Sequence, residues 1–99
     1  MNDTTPVVVA TAEPWWHKDL DERIRAADIM LTMIRNQVVD LMRQYPPFNS
    51  PHEAFGVMWE EVNKELGDAL HANDLKEFKR EAKDIAAVAV RIMAELRFR

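Results

Sequence analysis

The sequence contains no cysteine among its 99 residues. This absence excludes a disulfide framework, a thiolate metal site and a thiol nucleophile. Basic residues are outnumbered, since 13 Lys and Arg stand against 17 Asp and Glu and the formal net charge is -4. The chain therefore lacks the electrostatic footprint of a protein that binds a phosphate backbone, and we expect no nucleic-acid partner.

Long apolar runs are missing as well. The apolar patch at residues 7–10 is short and has no basic flank, so we do not expect a signal peptide. With 47% hydrophobic and 30% charged residues, the composition is typical of a folded globular protein rather than a disordered or membrane-spanning one. We predict a single helical domain over residues 18–99, preceded by an extended arm over residues 1–17, in a reducing, cytoplasmic compartment with no membrane partner.

Helical periodicity begins after the arm. Asp19 and Glu22 form a capping-box pattern, which predicts the start of a first helix. Proline lacks an amide donor and pushes the preceding residue out of helical geometry, so the Tyr-Pro-Pro sequence at 45–47 ends this helix near Gln44. Apolar residues recur along it at steps of three and four. They are Leu20, Ile24, Ala27, Leu31, Ile34, Val38 and Leu41.

Two more helices follow, each with its own start signal. Ser50 and Glu53, with proline between them, predict a second helix that ends near Asn73. Asp74 and Glu77 repeat the pattern for a third helix. The connection is very short, so we expect an antiparallel hairpin. The predicted apolar stripes are Phe55, Met58, Trp59, Val62, Leu66, Ala69 and Leu70 on the second helix, and Leu75, Phe78, Ala82, Ile85, Ala89, Ile92 and Leu96 on the third.

The first helix carries more apolar surface than one hairpin covers. Met30, Met33, Val39 and Met42 lie beside its main stripe. We predict an all-α fold of three principal helices, completed as a helical bundle by formation of a homodimer or homotetramer. In the alternative, the N-terminal arm with its valines and Trp15-Trp16 folds back over this surface.

Acidic residues occupy unexpected positions on the second and third helices. A helical wheel places Glu81 inside the apolar arc of the third helix, with Asp84 at its margin. Glu61 and Glu65 share one flank of the second helix, whereas Glu60 points elsewhere. Four converging carboxylates repel one another unless a hard divalent cation neutralises them, and Mg²⁺ is the expected occupant, with Mn²⁺ also compatible.

The alternative is that these residues form ordinary ion pairs. In that interpretation Glu61 and Glu65 pair with Lys or Arg at the surface. Glu81 then pairs with Arg25, Arg35 or Lys79.

Three segments, Ser50-Pro51-His52-Glu53, Glu60-Glu61-Val62 and the run from Glu81 to Arg91, resemble the MazG-like nucleoside-triphosphate pyrophosphohydrolases, particularly their short bacterial and phage-borne members. The likeness covers about half of the chain. That family is all-α and binds Mg²⁺ through Glu-x-x-Glu on one helix and Glu-x-x-Asp on the next. Glu81 and Asp84 match the second motif. Glu61 leads the first motif, but Lys64 stands where the family has its second Glu, and Glu65 follows it.

The resemblance implies Mg²⁺-dependent cleavage of a nucleoside triphosphate to a monophosphate and pyrophosphate. Glu61, Glu65, Glu81 and Asp84 are the implied metal ligands, and Glu60 or Glu61 is the implied catalytic base. A second function remains open, in which the metal site has decayed. The methionine-containing surface of the first helix then serves a non-catalytic interaction module.

Overall fold

The computed structural model describes residues 13–96, and every regular element within that range is helical. The predicted all-α class with three helices is confirmed. A 3-10 turn at Trp15–His17 precedes α1, Leu20–Gln44. The second predicted helix consists of three consecutive segments: α2, Pro51–Glu60, a π-helical segment, Glu61–Leu66, and α3, Gly67–His71. The third is α4, Leu75–Glu95.

The chain divides into two compact units, residues 1–30 and 31–99, which are described separately. The predicted arm falls in the first unit, and its residues 1–12 lie outside the described range. Residues 15–17 form a helical turn rather than extended chain. Trp15, Trp16 and Ile29 are all more than half exposed. The folded-back alternative also depends on the valines of the arm, which lie outside the described residues, so it stays a prediction.

Helix boundaries in the second unit follow local hydrogen-bonding signals. Ser50 Oγ accepts from the Glu53 amide at 3.2 Å, while the Glu53 carboxylate accepts from the Asn49 amide at 3.0 Å. Helix α3 ends where Asn73 adopts a positive φ of 55°. Asp74 then donates its amide to the Ala69 carbonyl, and its side chain caps α4 by accepting from the Glu77 amide at 3.0 Å. One short turn thus ends α3 and starts α4.

The faces that are buried differ from the predicted apolar stripes. On α2, Ala54 is buried, whereas Phe55 and Trp59 are exposed and contact each other. On α4, the predicted stripe residues Leu75 and Ala82 are exposed. The fully buried residues of α4 are Glu81, Ala87, Val88 and Arg91, while Phe78, Ile85, Ala89, Ile92 and Leu96 of the predicted stripe are half-buried. Arg91 and Glu95 pair with each other on this helix, and Asp84 accepts a hydrogen bond from Gln37 of α1, a partner that a wheel of one helix does not reveal.

The small apolar core lies where α4 packs back along α2, the π-helical segment and α3. It consists of Phe48, Ala54 and Val88, with Met58, Ile92 and Leu96 packed against it. From α1, Val38 is buried, but Leu31, Met33 and Met42 are exposed. Among the described residues, no helix is long and apolar enough to cross a membrane.

Candidate metal centre

Three carboxylates meet at the inner side of the hairpin. Glu61 is the first residue of the π-helical segment, and Glu81 and Asp84 lie one turn apart on α4. One oxygen of each side chain lies within 4.8 Å of the other two. Because α4 packs directly against the π-helical segment, the two helices hold these groups together. The predicted convergence of Glu61, Glu81 and Asp84 therefore forms a cluster that can hold a metal ion.

The cluster is partly withdrawn from water, since Glu81 is buried and Glu61 and Asp84 are half-buried, and this makes its negative charge costly. Glu81 is only 6% exposed, as its place in the apolar arc predicted. Burial raises the pKa of Glu81, and the nearby charge of Asp84 raises it further. Burial likewise raises the pKa of Glu61, with Asp84 again the largest electrostatic cause. Both shifts indicate carboxylates that lack sufficient positive charge nearby.

The cations proposed as partners in the ion-pair alternative do not neutralise the cluster. The ion pair of Glu81 is with Arg80, at 3.9 Å, rather than with Arg25, Arg35 or Lys79. The Arg80 side chain is mostly exposed and also pairs with Glu77. Within residues 13–96, neither Glu61 nor Glu65 forms an ion pair with Lys or Arg.

An oxygen of Glu61 provides an independent test of whether a cation fits. Its Oε2 atom is buried and has no hydrogen-bond partner. An unsatisfied buried oxygen is unfavourable, and more so when it belongs to a charged group. Three hard oxygen donors with such an atom among them suit a divalent cation of the Mg²⁺ or Mn²⁺ type. Glu61, Glu81 and Asp84 are therefore suitable ligands for a divalent cation.

The other two predicted site residues lie outside this cluster. Glu65 is exposed, although its negative charge still raises the pKa of Glu61 and of Glu81. Glu60 is exposed as well and lines a separate groove beside Trp59 and Lys64.

The π-helical segment explains why a helical wheel did not give the correct direction of the Glu65 side chain relative to Glu61. A π turn closes its hydrogen bonds over five residues instead of four, so it accommodates an extra residue. The segment starts at Glu61 and contains both Lys64 and Glu65. A wheel that assumes 100° per residue therefore gives incorrect directions for the residues that follow Glu61 in this segment. The predicted second helix is present, but its sequence did not indicate the π-helical hydrogen-bond register of this segment.

Sequence analysis also missed Gln37. Its Nε2 donates to Asp84 Oδ1 at 2.6 Å, which connects α1 to the cluster across 47 positions of sequence. Gln37 lies three residues after Ile34, at the helical spacing of the predicted stripe. A polar side chain beside an apolar stripe was the available signal, and it was weak because the partner lies on another helix.

A cleft of about 590 Å³ opens beside the cluster. Gln37, Glu61 and Asp84 line its polar part, and Leu41 and Val88 contribute to an apolar wall. The cleft therefore places an acidic, cation-compatible surface next to an apolar one.

Arg91 and Phe48 also line the cleft, but the charge of Arg91 is already neutralised. Its Nε and Nη2 donate to Glu95 at 2.9 and 3.0 Å, and Nη2 also donates to the Pro46 carbonyl at 3.2 Å. The guanidinium lies 4.4 Å from the Phe48 ring centroid. These contacts hold the segment before α2 against α4.

The chain matches no protein-family model, no curated protein and no solved structure. Function therefore rests on the geometry and chemistry of the site itself. That site comprises three converging carboxylates, an unpaired buried oxygen and an adjacent cleft.

Proposed function

We propose that the protein is a Mg²⁺-dependent nucleoside triphosphate pyrophosphohydrolase, which cleaves a ribo- or deoxyribonucleoside triphosphate to the monophosphate and pyrophosphate. The observation that carries the proposal is the cluster of Glu61, Glu81 and Asp84 on two packed helices. The resemblance of the same segments to MazG-like enzymes supports it, because these three residues match that family's metal-binding positions.

Each residue of the cluster has a role in this proposal. Glu61, Glu81 and Asp84 would hold the cation. A bound Mg²⁺ would offset most of their negative charge, bind phosphate oxygens and lower the pKa of a water molecule. Of the two candidate bases, Glu61 lines the cleft, whereas Glu60 lines a different groove. The geometry therefore favours Glu61 as the residue that accepts the proton of the attacking water.

The cleft accounts for the two chemically different ends of the substrate. Glu61 and Asp84 line one part of the cleft, and phosphates bound to the cation would lie beside them. Leu41, Val57 and Val88 supply apolar surface suited to the nucleoside. Arg91 serves structure rather than phosphate binding in this proposal, because Glu95 occupies its guanidinium.

Pyrophosphate release from a panel of nucleoside triphosphates, with and without Mg²⁺, tests this function. We expect release by the wild type only with the cation, and none by Glu81→Gln, which removes one charged ligand. Asp40→Asn is the matched control, because Asp40 is exposed on α1. Equal activity of Glu81→Gln and wild type would contradict the proposal.

A second candidate function is a non-catalytic helical interaction module with a decayed metal site. Two observations favour it: Lys64 replaces a family ligand, and Glu65 is exposed outside the cluster. Exposed Met30, Met33 and Met93 would supply an adaptable contact surface. Calorimetric titration with Mg²⁺ separates the two functions, since a decayed site gives no binding heat.

We also propose that the protein forms a homodimer or homotetramer through α1. Ile24, Ile29 and Leu31 are at least half exposed on this helix, and such surface favours burial against a partner. Light scattering of the wild type should give a mass above that of one chain, and Leu31→Arg should reduce it. Asn36→Arg, at an exposed polar position of the same helix, is the control. A monomeric wild type at micromolar concentration refutes this assembly.

A further inference from the structure

We propose that Gln37 completes the cation site from α1: its amide N–H fixes the Asp84 carboxylate, and its carbonyl oxygen serves as a fourth, neutral ligand. This inference rests on the cation site of the proposed function. It assigns the position that sequence reasoning gave to Glu65 to a residue on a different helix.

The hydrogen bond to Asp84 determines which end of the Gln37 amide faces which way. Nε2 is the only donor of that amide, and it lies 2.6 Å from Asp84 Oδ1. Oε1 must therefore point away from this oxygen. Oε1 is buried and has no hydrogen-bond partner. Gln37 thus has one end satisfied by the cluster and one end in need of a donor or a cation.

Covalent geometry places that free end close to the cluster. The amide C–N and C=O bonds together span at most about 2.6 Å, so Gln37 Oε1 lies within about 5 Å of Asp84 Oδ1. The three carboxylate ligand atoms are within 4.8 Å of one another. Oxygens on opposite sides of one hard cation are separated by about 4–5 Å. Gln37 Oε1 is therefore close enough to the Asp84 carboxylate for one hard cation to contact both.

The two unsatisfied oxygens point to a common cause. Gln37 Oε1 and Glu61 Oε2 are the only buried side-chain nitrogen or oxygen atoms without a hydrogen bond among residues 13–96. Both belong to residues that line the same cleft beside Asp84. A single cation that contacts both oxygens explains why two buried atoms at one place lack a hydrogen bond.

Charge explains why an amide suits this position better than a fourth carboxylate. Glu61, Glu81 and Asp84 already place three carboxylate oxygens within 4.8 Å of one another. A neutral carbonyl adds an oxygen ligand without further repulsion, and its N–H group removes some repulsion by binding Asp84. Exposed Glu65 can then contribute through its electric field alone.

Titration calorimetry with Mn²⁺ and with Mg²⁺ tests the inference on the full chain. Gln37→Met removes both the donor and the oxygen at similar length, and we expect cation affinity to fall roughly ten- to hundredfold. Gln44→Met is the matched control, because it makes the same change at an exposed position of α1 and should leave affinity unchanged. Circular dichroism without cation checks that both variants fold.

Gln37→Glu separates ligation from positioning. This variant loses the N–H bond to Asp84 but keeps an oxygen donor, so ligation predicts that cation binding survives at near wild-type strength. Positioning alone predicts a loss at least as large as in Gln37→Met. As a direct signature, the side-chain carbonyl carbon-13 resonance of Gln37 should shift on saturation with Mg²⁺, while that of Gln44 stays in place.

The outcomes distinguish this inference from the proposed function. If the wild type binds the cations, Glu81→Gln does not, and Gln37→Met stays within about twofold of wild type, then Gln37 is no ligand and the carboxylate site stands. A loss in Gln37→Glu as large as in Gln37→Met also overturns ligation. If the wild type binds neither Mn²⁺ nor Mg²⁺, the cation site itself is refuted and the role of Gln37 with it.

Discussion

The buried ion pair between Arg91 and Glu95 offers a sharp test of how the cleft wall is held. The two side chains are 7% and 8% exposed and make two hydrogen bonds. Glu95 also accepts the Phe48 amide at 3.1 Å. We predict that Glu95→Ala is strongly destabilising, because it leaves a buried guanidinium without its counter-charge and a buried amide without an acceptor.

The magnitude follows from the type of contact that is lost. Removing one partner of a buried ion pair costs about 3–5 kcal/mol. A domain of this size has a total unfolding free energy of about 5–15 kcal/mol, so the loss is a large share of it. Replacing both residues by Met removes the unpaired charge, and we expect the double variant to lie within about 1–3 kcal/mol of wild type, the remainder reflecting the unpaired Phe48 amide.

Urea unfolding followed by circular dichroism at neutral pH measures the wild type, Glu95→Ala and the double Met variant. A cost of less than about 1 kcal/mol for Glu95→Ala would show that the pair behaves like a solvent-exposed ion pair and would contradict this prediction. The prediction is equally refuted if the double variant is no more stable than Glu95→Ala alone.

The same pair makes a prediction about pH. Hydrogen bonding to Arg91 holds the pKa of Glu95 below its ordinary value of 4.5. A lowered carboxyl pKa contributes stability that is present above the unfolded-state value and is lost as pH falls through the folded-state value. The stability difference between wild type and Glu95→Gln should therefore shrink in acid below pH 4.5. A difference that is constant across that range contradicts this account.

Three further outcomes are expected. Glu65→Gln should weaken Mg²⁺ binding only severalfold in calorimetry, whereas Glu81→Gln should abolish it; equal losses would place Glu65 among the ligands. The raised pKa values of Glu61 and Glu81 mean that the folded state binds more protons, so the metal-free thermal midpoint should fall as pH rises above 4.5, and saturating Mg²⁺ should remove that fall. Asp74→Ala should lower the unfolding free energy by about 1 kcal/mol through loss of the α4 cap, and an unchanged urea midpoint would contradict it.

Local chemistry explains why the helix boundaries were predictable. The capping side chains of Ser50 and Asp74 each accept an amide hydrogen bond three residues later, as the sequence pattern indicates. Glu53 departs slightly, since it binds the Asn49 amide. These interactions depend on residues a few positions apart, so they can be recognised in a linear sequence.

The π-helical segment was not predictable in the same way. Its residues are common in α-helices. The π-helical hydrogen bonding of Glu61–Leu66 is visible only in the backbone of the structure. For this reason the wheel grouped Glu65 with Glu61, while the structure leaves Glu65 exposed outside the cluster. Hydrogen-bond register within a helix is decided by packing as well as by propensity.

The sequence by itself determined the all-α class, the three helices, and the burial of Glu81 within an apolar arc. Each depends on short-range spacing or capping. Only the tertiary structure decided which face of α4 turns inward, that Arg91 pairs with Glu95, and that Gln37 reaches Asp84. The physical reason is that a polar side chain can be buried only beside its partner, and these partners come from different helices or from faces that packing alone selects.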